Sequence, residues 1–310
     1  HYSKHLKKMS GKKKDLTPQE ILDKAMARAF RGGIAGAGAM GIQVVSLMWM
    51  RTTMNYQYRN GEKSTLRAIQ ILYRDGVNSG LAFGGIRRFY MGLGPALFQG
   101  PLSRFGDTAA NSGTLALLEA NPSTNKLPVG IKTFMASCAA AAWRMVIMPI
   151  DAMKTISQVE GKGALGKLFT KVRQGGPIVL WHGAFGAYGA TLVGHYPWFF
   201  VNNYLEATIP KVNKKDSNYM VKKLGRNASI GFAASICSDC CSNSIRVIKT
   251  VKQTSTVPIT YTAAAKQVID KDGVMGLLGR GLKTRIMANG MQGIMFKVLW
   301  KLFEDKLNAK

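Results

Sequence analysis

The chain repeats itself three times, and this limits the folds open to it more than any other feature. Each copy carries a basic residue followed by threonine, then a pair ending in glycine, then a short segment closed by another glycine. The first copy holds Arg51-Thr52, Asp75-Gly76 and Tyr90-Met91-Gly92. The second holds Lys154-Thr155, Gly175-Gly176 and Trp181-His182-Gly183. The third holds Lys249-Thr250, Asp272-Gly273 and Gly279-Arg280-Gly281. The basic markers are 103 and 95 residues apart, and the closing glycines 91 and 98. Self-similarity at a fixed period means one structural unit used several times, with neighbouring units burying one another's faces.

Each unit contains two weakly charged stretches. Gly32 to Met50 runs nineteen residues without a charge, close to the length that crosses a bilayer. Thr133 to Ile150 is interrupted only by Arg144, and Ala184 to Leu205 has only His195 as a titratable group. Asn227 to Ile245 holds one acid, Asp239. Met91 to Ser103 and Ile286 to Phe296 are uncharged but short. Hydropathy alone therefore predicts about three clear spans and three weak ones. Spans flecked with polar residues fit a bundle around a watery cavity, where one face of each helix meets lipid. Glycines 32, 33, 36 and 38 would let other helices approach closely. A soluble helical protein is the alternative on hydropathy, and the repeats argue against it.

Charge narrows the partners. Lys and Arg number 43 against 16 Asp and Glu, for a net +27, while charged residues are only 19% of the chain. Such a chain is expected to meet an anionic solute, anionic lipid or nucleic acid. The basic residues lie in scattered loops without aromatic interleaving, so no nucleic-acid partner is expected. Four cysteines are too few for a disulfide scaffold. The chain opens on His1, so residues upstream of it are expected. Its first nineteen residues hold six Lys and one Asp and lack the apolar run of a secretory signal. They read as a basic tail, solvated or resting on anionic lipid. Thr17, Pro18 and Glu20 then form a helix-start pattern.

At these residues the sequence resembles the mitochondrial carrier family. That family's signature is Pro-x-Asp/Glu-x-x-Lys/Arg, followed some thirty residues later by an acidic-glycine pair and an aromatic-basic-glycine. The second copy has it as Pro149-Ile150-Asp151-Ala152-Met153-Lys154. The segments starting at Tyr90, Gly189 and Gly279 read like the family's even-numbered helices. The likeness spans about residues 28 to 305. It implies an all-α membrane protein of six transmembrane helices in three pseudo-symmetric repeats, with short matrix helices. The implied divisions are a basic tail and short helix at 1–27 and repeats at 28–118, 119–210 and 211–310. It also implies multi-pass residence in the mitochondrial inner membrane, with three loops in the matrix and both termini in the intermembrane space. Loops after the odd helices carry nets of +5, +3 and +6, against +4 and +5 for the Glu206 to Arg226 loop and the tail. That bias leans the same way.

In the family, Pro kinks each odd helix, and acid and base from neighbouring repeats pair across the axis as a matrix gate. Here only the second copy keeps the pattern. The first reads Ser46-Leu47-Met48-Trp49-Met50-Arg51, and the third reads Ser244-Ile245-Arg246-Val247-Ile248-Lys249. The implied gate thus holds Arg51, Lys154, Arg246 and Lys249 against Asp151 alone, with Pro149 as the helix kink. Four bases with one acid repel unless an anion joins them. Odd helices without proline are expected to be straighter.

The family's solute contacts lie on the even helices. They map onto Gln99 and Gly100, onto Gly194 and His195, and onto Ala288 and Asn289. The second mapping needs an insertion of about three residues between Trp181 and Gly189. Arg104 and Arg285 lie within a turn or two and could supply positive charge there. Gln99 and Asn289 could equally be polar groups satisfied within a bundle, and His195 a packed histidine. Cys237, Cys240 and Cys241 have metal-like spacing but no second ligand pair, so free thiols are expected and no metal. No catalytic constellation or cofactor-binding loop is present, so no enzyme and no cofactor are expected.

Two functions follow. One is a carrier that moves a small anionic solute by alternating access. The other is a transport-inactive structural subunit docked on a large inner-membrane assembly such as a respiratory complex. Inner-membrane phospholipids, with cardiolipin among them, are partners under either reading.

Overall fold

The computed structural model describes residues 18–213 and 218–308. The basic tail and the Thr17 cap lie outside the described residues. All described secondary structure is helical. The elements are α1 (Pro18–Asn60), α2 (Thr65–Asn78), α3 (Gly84–Phe89), α4 (Leu93–Ala120), α5 (Pro122–Asn125), α6 (Val129–Val146), α7 (Met148–Glu160), α8 (Ala164–Gly175), α9 (Ala184–Thr208), α10 (Tyr219–Thr254), α11 (Tyr261–Gly279) and α12 (Leu282–Asn308). A 3-10 turn, Pro177–Trp181, precedes α9. The helix expected from Pro18 runs on into the Gly32–Met50 stretch as one element, α1.

The long helices close into a ring. α1 packs on α4, α4 on α6, α6 on α9, α9 on α10, α10 on α12, and α12 back on α1. α7 turns inward and touches α1, α4 and α10. The break that frees it lies between Val146 and Met148, where the axis bends by 65°. Pro149 sits in the first turn of α7 and cannot donate to the carbonyl of Met145. The Trp181 indole N–H fills that vacancy at 3.0 Å. α1 and α10 carry no internal proline and run as single helices of 43 and 36 residues.

Short amphipathic helices brace one end of the ring. Ser64 caps α2 by accepting from the Arg67 amide, and Ala68 and Leu72 bury one face. In α8 the buried pair is Ala164 and Leu168, and in α11 it is Ala264 and Val268. Each pair is spaced i, i+4, which places both side chains on one stripe.

These braces grip the long helices in cyclic order. Arg88 is buried, meets Asp75 at 2.6 Å, and donates to the carbonyls of Gln158 and Val159 at the end of α7. Lys171 of α8 donates to the Ser255 carbonyl at the end of α10. Arg280 meets Asp272 at 2.8 Å and donates to the Tyr58 carbonyl at the end of α1. Each contact satisfies carbonyls that a helix C-terminus leaves open and places positive charge at its negative pole. The glycines before α4, α9 and α12 follow the same order. Gly92, Gly183 and Gly281 have φ of +88°, +99° and +64°. A Cβ on Gly92 would lie 2.9 Å from the Lys154 carbonyl, and one on Gly281 2.7 Å from the Tyr58 ring. Positive φ and close approach together require glycine.

The bundle buries many polar groups among its apolar ones and leaves large apolar side chains on the outer faces of its long helices. Gln43, Thr52, Asn55, Gln99, Ser137 and Asn243 are buried, whereas Phe98, Phe134, Phe185, Tyr196, Phe200 and Ile294 are exposed on the long helices. Buried apolar side chains form separate small clusters, such as Val44, Met48 and Ala96 between α1 and α4. Among the described residues no single helix is long and apolar enough to cross a membrane, and only the bent pair Gly130–Val146 with Met148–Glu160 meets that measure. The span expected at Gly32–Met50 lies partly outside the described side chains, and the one expected at Ala184–Leu205 falls short because His195, Pro197, Asn202 and Asn203 interrupt its apolar run.

Candidate functional site

The inward turn of α7 brings Asp151 to the bundle axis. Its carboxylate accepts from Lys154 Nζ, one turn along the same helix, at 2.7 Å. It also accepts from Lys249 Nζ of α10. Lys154 Nζ donates further to Gln99 Oε1 of α4 at 3.1 Å. Three helices are thus tied by one buried acid and its two lysines. Nearby, Asn55 of α1 donates to Gln158 Oε1 of α7 at 2.5 Å, and Tyr58 of α1 donates to Asn243 Oδ1 of α10 at 3.1 Å. Tyr58, Val247 and Val251 add an apolar seam between α1 and α10. This is the end where α1, α7 and α10 meet.

Above that closure lies a cavity of about 400 Å³. Every expected gate residue lines it: Arg51, Asp151, Lys154, Arg246 and Lys249. Gln99, Gly194, His195, Arg285, Ala288 and Asn289 also line it, together with Arg144. His195 Nδ1 lies 3.0 Å from Ser137 Oγ. Gly194 brings α9 close to α10, since a Cβ there would stand 3.1 Å from Ser238 Oγ.

Two expected solute contacts fall elsewhere. Gly100 faces Val44 and Met40 in the α1–α4 seam, and Arg104 is exposed and does not line the cavity. The physical reason is helical phase. One residue beyond Gln99 turns about 100° away from the axis, and Arg104 lies further round the helix.

The structure also supplies acids that sequence spacing did not assign. Asp239 of α10 accepts from Arg285 and Asn289 of α12 with its two carboxylate oxygens. Asp107 of α4 pairs with Arg144 of α6. In the sequence Asp239 is the one acid in an otherwise uncharged stretch, and Arg144 the one base in another. Their partners lie 46 and 37 residues away, so no local motif could join them.

The electrostatic balance is uneven. Six cationic side chains line the cavity: Arg51, Arg144, Lys154, Arg246, Lys249 and Arg285. The carboxylates that meet them are Asp107, Asp151 and Asp239. Arg246 donates to the Ser242 hydroxyl at 3.2 Å and forms no ion pair among the described residues. Arg51 makes neither a hydrogen bond nor an ion pair among them, and Arg285 repels both guanidiniums. Cations held in a confined site without counter-charge attract anions. Cys138, Cys237, Cys240 and Cys241 are free thiols, and the last three lie along α10.

Compared with known proteins, the chain matches no family model and no curated sequence.

Proposed function

We propose that the protein is a carrier of the mitochondrial inner membrane, a divergent relative of the mitochondrial carriers, that moves a small anion by alternating access. In this reading α1, α4, the bent α6–α7 pair, α9, α10 and α12 are six transmembrane segments in three pseudo-symmetric repeats. The observation that carries it is the axial cavity, where six cations face three carboxylates.

Two further features support membrane residence. The exposed faces of the long helices carry Phe98, Phe134, Phe185, Phe200 and Ile294, while amides and hydroxyls face inward. Water favours the reverse arrangement, and lipid favours this one. The bent α6–α7 pair has the length and hydropathy of a broken span. Such interrupted helices with a central site suit alternating access. Asp151 with Lys154 and Lys249 forms the closed gate, and Gln99, His195 and Asn289 line the solute path.

The test is uptake of labelled anions into vesicles holding the purified chain. Lys154→Ala and Asn289→Ala are expected to lower uptake while leaving folded protein. Unchanged uptake in both would remove these residues from the site.

A second reading, a transport-inactive structural subunit of a large inner-membrane assembly such as a respiratory complex, has one observation in its favour. The first gate-acid position is Met48, which is fully buried against Val44, Ala96 and the Gln158 amide and carries no charge. Comigration with a large complex on native gels, together with absent uptake, would favour it.

A further inference from the structure

We propose that the transported anion is itself part of the gate: a small dianion, held between Arg51 of α1 and Arg246 of α10. It stands in for the carboxylates that these two helices lack. This rests on the carrier reading and names the class of its solute.

The argument starts from the protein's own counter-charges, which are already committed. Asp151 serves two lysines, Asp107 serves Arg144, and Asp239 serves Arg285 and Asn289. Helix α1 offers no carboxylate at its gate position, where the fully buried Met48 packs against Val44 and Ala96 and its sulfur accepts from the Gln158 amide. On α10 the same position is Arg246 itself, whose guanidinium donates among the described residues to the Ser242 hydroxyl alone and feels the charge of Asp239, a carboxylate already bonded to Arg285 and Asn289. Arg51 has no polar partner among the described residues. Both guanidiniums open on one cavity, and Arg285 is near enough to repel each of them.

An unpaired cation withdrawn from bulk water is costly, and two sharing one cavity are more so. A planar guanidinium presents two parallel donors, which match a carboxylate or one edge of a tetrahedral oxyanion. Two such forks call for two negative charges. The two helices also touch directly. An anion bridging them would hold α1 to α10 as Asp151 holds α7 to α10. The anion would add to the Tyr58–Asn243 hydrogen bond and apolar seam that already join α1 and α10 at this end, and its loss would leave two like charges opposing that closure.

The experiment is thermal melting of the purified full chain in detergent, titrated with sodium sulfate, succinate, acetate or chloride at constant ionic strength. Sulfate or succinate is expected to raise the midpoint saturably, and acetate and chloride are not. Preference for sulfate would indicate one oxyanion shared by both forks, and preference for succinate a carboxylate on each. Arg51→Gln and Arg246→Gln are each expected to weaken the dianion's apparent affinity by about ten- to a hundredfold. Neither is expected to lower the anion-free midpoint, since each removes a repelling charge. Arg51→Lys keeps the charge without the fork and is expected to weaken affinity less. Unchanged dianion affinity in both glutamine variants would overturn the proposal while leaving the carrier reading intact. Dianion binding at these arginines without vesicle uptake would support the site and count against transport. No effect of any anion on melting, with no uptake, would overturn both.

Discussion

Asp151 of α7 and Lys249 of α10 form a direct ion pair across the bundle axis, although they lie 98 residues apart in sequence. The same carboxylate holds Lys154. Asp151→Asn would leave two lysines facing each other without a counter-charge. Removing one partner from a buried pair costs roughly 3 kcal/mol. A lower melting midpoint in detergent is expected, with partial recovery on adding Lys249→Met. An unchanged midpoint would show that the triad does not hold α7 to α10.

Arg88 makes a second prediction. It bridges Asp75 and two backbone carbonyls at the end of α7. Lysine at this position keeps the charge but cannot reach three acceptors in one plane. Arg88→Lys is expected to destabilise by roughly 2 kcal/mol, from the loss of charge-assisted hydrogen bonds. Thermal melting of the two forms side by side measures it.

The bend at Pro149 depends on a donor supplied from elsewhere in the chain. Trp181 gives its indole N–H to the Met145 carbonyl. Trp181→Phe keeps most of the ring and removes that donor. A cost of about 1 kcal/mol is expected. Trp181→Phe combined with Pro149→Ala is expected to lose less than the sum of the two, because the alanine amide can then reach Met145. Strict additivity in the double-mutant cycle would contradict the coupling.

His182, in the turn before α9, gives a pH dependence. Burial, and then the nearby Lys252 and Lys171, push its pKa below the ordinary histidine value of 6.5. The unfolded chain therefore takes up this proton more readily than the folded one. Stability is expected to fall as pH drops below about 6.5. His182→Asn is expected to flatten that part of the profile, read as melting midpoint against pH.

Much of this architecture was legible in the sequence, and the exceptions have physical causes. The markers at Arg51, Lys154 and Lys249 recur 103 and 95 residues apart, and all three side chains reach one cavity. Proline marked the bend at Pro149, and α1 and α10, which lack an internal proline, run unbroken, although α4 and α9 also run unbroken through Pro101 and Pro197. Helical phase was less legible. Gln99 faces the axis and its neighbour Gly100 packs against α1, a distinction that one residue of misalignment erases. Long-range pairing was not legible at all. Asp239 with Arg285 and Asp107 with Arg144 became visible only once α10 met α12 and α4 met α6. Hydropathy marked the stretch that became the bent α6–α7 pair, whereas α9 falls short as a single span because His195, Pro197, Asn202 and Asn203 interrupt it.

The most direct test of the account is anion exchange in vesicles holding only the purified chain. Vesicles preloaded with unlabelled succinate or sulfate are compared with empty ones for inward movement of the labelled anion. Alternating access around the cationic cavity predicts saturable uptake that internal anion accelerates and that Lys154→Ala lowers. Folded, correctly inserted protein that moves no labelled anion under either condition would contradict the central claim.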